Sequence, residues 1–82
     1  MKKIGKVTHY YNHLGVAIVE LDGKLSVGDK IKFEVGKNEF EQTVESMQIE
    51  HKDISSAKKG DVVGLKVNGK IGEGAEVYLV EE

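Results

Sequence analysis

Apolar residues recur at every second position along most of the chain, and this period constrains the fold more than any other feature. Ile31, Phe33 and Val35 alternate with Lys30, Lys32 and Glu34. Val63, Leu65 and Val67 stand on either side of Gly64 and Lys66. Val77 and Leu79 alternate with Glu76 and Tyr78. A period of two sends successive side chains to opposite faces, so each segment reads as a half-buried β-strand. Leu14 to Leu21 is nearly continuously apolar, the pattern of a central strand. Turn signals bound the runs: Asp22-Gly23, Val27-Gly28-Asp29, and a hairpin turn at Gly36-Lys37-Asn38, where Gly36 or Asn38 suits a positive φ. The expectation is six strands, at roughly 3–10, 14–21, 30–36, 39–50, 61–67 and 75–81.

Two strands change phase along their length. Phe40 and Val44 occupy even positions, whereas Met47 and Ile49 occupy odd ones. A strand cannot change face without an extra residue, so a bulge is expected near Glu45-Ser46. Ile4 and Val7 are out of phase in the same way, with Gly5 between them. Several short strands separated by turns suggest a sandwich or barrel, and closure would remove the exposed edges. Only residues 53–59 break the alternation. Ile54 and Ala57 lie three apart, so one short helical turn is expected near 54–58, capped by Asp53 or Ser55 and ended by Gly60. No stretch is read as an internal repeat.

The 82 residues allow one domain, 1–82, with a small core. There is no cysteine, which excludes disulfides and thiolate zinc sites and fits a reducing, cytoplasmic setting. No apolar run approaches the roughly 20 residues needed to span a bilayer, and Met1-Lys2-Lys3-Ile4-Gly5 lacks the apolar run of a signal peptide. The formal net charge is −2, and all 12 basic residues are lysine. Without arginine or a basic surplus the chain does not look like a tight, autonomous nucleic-acid binder. The lysines Lys2, Lys3, Lys6, Lys52, Lys58 and Lys59 would steer phosphate if both clusters shared one barrel end; the competing expectation is that they are solvated among interleaved glutamates.

Three stretches carry a family resemblance: Gly15 to Leu21 leading into Leu25-Ser26-Val27-Gly28-Asp29; Val44 to Ile49; and Ala57-Lys58-Lys59-Gly60-Asp61-Val62-Val63-Gly64-Leu65. Their order and spacing resemble the β-barrel second domain of translation elongation factors. The chain also resembles stand-alone elongation-factor-like small proteins and the barrel appended to some collagenase-like peptidases. The resemblance implies an all-β, six-stranded closed barrel of the Greek-key type. It implies no chemistry, because these motifs are turn and packing signals. No phosphate-cradling Gly-x-x-x-x-Gly-Lys-Ser/Thr is present, so GTP is not expected. Flavin reductases share the architecture, but their flavin site uses arginine, and no cofactor is expected here.

The loop after the first strand, His9-Tyr10-Tyr11-Asn12-His13, concentrates two tyrosines and two histidines. In elongation factors the matching loop and the strand at Ser46-Met47-Gln48-Ile49 flank the pocket for the aminoacylated end of tRNA. By that resemblance Tyr10, Tyr11, Asn12, His13, Gln48 and His51 form a contact patch, with Lys52 as the nearest basic partner. Tyrosines stack on bases, and Asn or Gln hydrogen-bonds base edges. The competing expectation is that one tyrosine packs into the barrel end and the others are solvated. His9, His13 and His51 have no carboxylate at helpful spacing, so no metal is expected. Ser46, Ser55 and Ser56 lack a paired base, so no catalysis is expected. Two functions follow as expectations: a non-catalytic module contacting tRNA or a ribonucleoprotein, or an accessory barrel partnering a separately encoded enzyme such as a collagenase-like peptidase.

Overall fold

A computed structural model describes residues 2–69 and 71–80. Ten strands appear in chain order: β1 Lys2–Tyr11, β2 Val16–Leu21, β3 Leu25–Ser26, β4 Lys30–Val35, β5 Asn38–Thr43, β6 Met47–Ile49, β7 Lys52–Ile54, β8 Ser56–Ala57, β9 Val62–Lys66 and β10 Glu76–Leu79. Eight of them form one antiparallel sheet in the order β5-β4-β10-β1-β2-β9-β6-β7, and β3 pairs with β8. All the described secondary structure is β, and no helix long and apolar enough to cross a membrane is present among these residues.

The alternation sorts as expected. Ala17, Val19 and Leu21 of β2, Val63 and Leu65 of β9, and Val77 of β10 are all buried on the inner face. With Ile4, Val7, Leu25, Ile31, Phe33, Val44 and Met47 they form one core. β1 bends through two register shifts, between Lys3 and Gly5 and between Val7 and His9. The first accounts for the phase change between Ile4 and Val7. A Cβ at Gly5 would lie 2.7 Å from the Glu20 carbonyl oxygen, so the close approach of β1 to β2 requires glycine there.

Several expectations need correction. The long strand at 39–50 is two strands, β5 and β6. The chain leaves the sheet at residues 44–46, and this break, rather than a bulge, carries the phase change from Val44 to Met47. The helical turn near 54–58 does not form. Ser56 and Ala57 are extended and pair with Ser26 and Leu25. Ile54 pairs with Met47, so the two apolar residues serve two strands rather than one helical face. The sheet is not closed by a ladder: among the described residues, β5 and β7 are its edges. One side chain links β5 to the end of β9 outside the ladders. Gln42 of β5 donates Nε2 to the Lys66 carbonyl at 2.7 Å and accepts the Asn68 amide at 3.0 Å. The last expected strand, 75–81, is β10, with residue 81 outside the described residues.

A repeated turn underlies this architecture, contrary to the expectation of no repeat. Gly28, Gly60 and Gly74 all have φ between 87° and 97°. In each case the residue after glycine donates its amide to the carbonyl two before glycine: Asp29 to Ser26, Asp61 to Lys58 and Ala75 to Gly72. This is the type II turn, which needs a positive φ at its third residue. Each glycine also donates to a single buried residue of a neighbouring segment, which donates back to the residue after the glycine. The three receivers are Val44, Leu21 and Val7, with N···O distances of 2.8 to 3.0 Å. Buried apolar residues stand three before and three after each glycine: Leu25 and Ile31, Ala57 and Val63, Ile71 and Val77. In the first two copies the aspartate adds a fourth bond. Asp29 Oδ2 accepts the Ser26 amide at 2.9 Å, and Asp61 Oδ2 accepts the Lys58 amide at 3.0 Å.

Candidate functional site: an apolar groove on the outer sheet face

The outward-facing residues of β2, β9 and β6 meet in rows set by the ladders. Ile18 pairs with Gly64, and Gly64 pairs with Gln48. The middle position of this row has no side chain, so a furrow crosses the outer face there. A groove of about 670 Å³ lies over it. Val16, Ile18, Gly64 and Val62 line it from β2 and β9. Tyr11 and Leu14 line it from the β1–β2 tip, and Gln48 to His51 from the β6–β7 hairpin. Leu14 is 69% exposed, Val62 50% and Tyr11 46%. These large apolar groups line one groove, which distinguishes them from the scattered exposed apolar residues of any protein surface.

The hairpin is unusual. Ile49 and Lys52 are paired, so Glu50 and His51 form a two-residue loop. Both have positive φ, 51° and 66°. This is the type I′ pattern, in which asparagine and glycine are the usual residues. Gln48 donates Nε2 across the hairpin to Asp53 Oδ1 at 2.9 Å.

Tyr11, Gln48 and His51 of the expected patch come together here. Tyr10, Asn12, His13 and Lys52 do not line the groove. Tyr10 is half-buried against the core and donates its hydroxyl to the Gly69 carbonyl at 3.2 Å. The expectation that one tyrosine packs inward therefore fits Tyr10. Asn12 and His13 are exposed on the β1–β2 turn, and Lys52 is exposed on β7. His9, Tyr10 and Tyr11 belong to β1 rather than to a loop, and only residues 12–15 form the turn. His9 Nδ1 lies 2.6 Å from Glu73 Oε2, and its ring meets Tyr11 edge-on, with centroids 4.2 Å apart.

Sequence reading misses Leu14, Val16, Ile18, Glu50, Val62 and Gly64. One signal lies in the unbroken apolar run of Leu14 to Leu21, which reads as a strand covered on both faces, whereas the structure covers only one. Gly64, at an outward position between two buried residues, is the second signal.

No family model matches the chain. Over 82 residues, 98% of the chain, it is 45% identical to a Methanocaldococcus jannaschii protein named "Uncharacterized protease MJ0090". The chain spans about a fifth of that relative, 20% of its length. In three dimensions it superposes on the C-terminal domain of a Geobacillus thermoleovorans "putative U32 peptidase" with a TM-score of 0.90. That match has 20% identity and covers 98% of this chain and 93% of the other. The selenomethionine variant of the same domain gives 0.88 at 21% identity, covering 94% and 98%. The chain shares the fold of that Geobacillus C-terminal domain. The collagenase-like peptidase barrel among the expected resemblances corresponds to this finding, and the elongation-factor likeness gains no support from these matches.

Proposed function

We propose that this chain is a non-catalytic accessory domain that acts through protein contact with the catalytic unit of a U32-type peptidase. The observation that carries this reading is the asymmetry of coverage. Nearly the whole chain matches, at 45% identity, only a fifth of a protein named a protease, leaving four-fifths of that protein for other work. The exposed apolar groove supplies a surface suited to such contact. Among the described residues the groove lining includes no serine, cysteine or lysine, so none of these nucleophiles stands in it. RNA contact draws less support, because the groove's charged residues are the carboxylates Glu50 and Asp61.

The test is direct mixing of this chain with the M. jannaschii protease from which the matching segment has been deleted. A one-to-one complex by sedimentation supports the reading, as does its weakening by Leu14→Ser with Val62→Ser. Absence of a complex at concentrations of about 50 μM, where even a weak contact near −6 kcal/mol would register, would overturn it. So would saturable binding of tRNA at the same concentration with no protein complex.

A further inference from the structure

Among the described residues, seven have positive φ, and five of them are glycine: Gly15, Gly28, Gly36, Gly60 and Gly74. The other two are Glu50 and His51, which form the wall of the groove. A side chain in this conformation crowds the following carbonyl, and an Asn-Gly loop would relieve that at once. Strained backbone of this kind clusters at binding and active sites. The hairpin accounts for the backbone at these two positions but does not require glutamate and histidine there.

The groove floor gives the shape of the guest. A Cβ placed on Gly64 would lie 3.5 Å from Val16 Cγ1 and 3.7 Å from Ile18 Cδ1, ordinary contact distances. The bare Gly64 position is thus flanked by aliphatic carbons of Val16 and Ile18, and an apolar group resting above it would meet them. Charge gives the guest's flanks. Glu50 and Asp61 line the groove, whereas none of the described lysines does, in a chain with 12 of them. Asp61 is partly committed, with Oδ2 accepting the Lys58 amide. Glu50 is exposed on the hairpin tip.

We infer that the groove seats an extended peptide segment carrying an apolar side chain over Gly64, with a lysine or arginine beside it facing Glu50. The Glu50–His51 tip is the recognition element. The identity of the segment as part of a peptidase rests on the function proposed above, but the seat itself does not.

The experiment is an amide NMR titration of the isotope-labelled chain with two capped six-residue peptides. One has a central leucine between lysines, and the other has glutamates in place of the lysines. The lysine peptide is expected to shift the signals of Gln48, Val62 and Gly64 saturably, and the glutamate peptide to bind at least about fivefold more weakly. Gly64→Ala fills the furrow and should weaken the lysine peptide by about tenfold. Glu50→Asn with His51→Gly should also weaken it while raising the melting midpoint, a pairing that damage to the fold cannot produce. The inference is overturned by the absence of saturable shifts with either peptide, by equal response to both, or by indifference to Gly64→Ala. Groove shifts that depend on protein concentration alone, the mark of a second copy, would overturn it too. If the peptide binds and the truncated peptidase does not, the proposed function fails and the seat stands. If the peptidase binds and the peptide does not, the seat fails.

Discussion

Glu50, His51 and Gly64 share a property: each has a replacement that should make the domain more stable. An L-residue held at positive φ is destabilised by about 1 kcal/mol relative to glycine. His51→Gly should therefore raise unfolding stability by about 1 kcal/mol, and Glu50→Asn by a smaller amount. Gly64 is not among the positive-φ residues, and its Cβ position is open at ordinary contact distance. Gly64→Ala should add about 0.5 kcal/mol by restricting the unfolded chain. Urea denaturation with unchanged m-values is the measurement. Loss of stability in any of these variants would mean that the local geometry has another purpose. Gly5→Ala is the control with opposite sign. Its Cβ meets the Glu20 carbonyl at 2.7 Å, and the variant should lose about 2 kcal/mol.

At the scale of elements, the repeated turn organises the chain. At each of the three glycines the space within 4 Å of where a Cβ would stand is open, so an alanine there meets no clash and is disfavoured only by its backbone conformation. Gly28→Ala, Gly60→Ala and Gly74→Ala should each be destabilising by about 1–2 kcal/mol, and by similar amounts. Asp29→Ala and Asp61→Ala should cost about 1 kcal/mol each through the lost bond to the Ser26 or Lys58 amide. Chemical denaturation of all five variants checks both statements. Much of this is legible in the sequence. Val27-Gly28-Asp29 and Gly60-Asp61 read as turns, and Gly36 is one of two residues suited to the positive φ of the β4–β5 hairpin. The third copy is not legible, because alanine replaces aspartate at position 75 and removes the visible motif. Its signature lies in the spacing of Ile71 and Val77 about Gly74. The helical turn expected near 54–58 fails for a related reason. Ile54 and Ala57 satisfy a helical spacing, but Ala57 is the extended residue three before Gly60, where Leu25 stands in the first copy.

At the scale of the whole molecule, one charged cluster away from the groove makes stability depend on pH. Tyr78 donates its hydroxyl to Glu76 Oε2 at 2.5 Å, and Lys3 lies 3.6 Å from the same carboxylate's other oxygen. The tyrosine bond, and then the lysine charge, hold Glu76 below the usual carboxylate value. The same bond, with desolvation, pushes Tyr78 up to about 12. A depressed carboxylate contributes stability above its unfolded value of 4.5, and this is lost as pH falls through the lower folded value. A raised phenol contributes stability below its unfolded value of 10.0, and this is lost as pH rises toward about 12. Tyr78→Phe should flatten the stability–pH curve at both ends, which urea midpoints from acid pH up to about 12 would record. The extent of the sheet is only partly legible. Alternation reveals which face is inner, but whether the last ladder forms depends on where β5 and β7 stop. For β5 that is decided at residues 44–46, where the chain leaves the sheet, and there period two carries no information.

The receivers of the three turns lie on or beside three different strands. Val7 is within β1, Leu21 ends β2, and Val44 follows β5. Opening any one of the turns exposes a buried receiver and its bonds, so partial opening of this domain should be rare. In native-state hydrogen exchange the amides of Val7, Leu21 and Val44, far apart in sequence, should share the slowest rate and respond to urea with the full unfolding slope. The amides of Glu50 and His51, outside all three clasps, should exchange independently and faster. The domain would then have a single cooperative body with one movable tip, and the tip borders the groove.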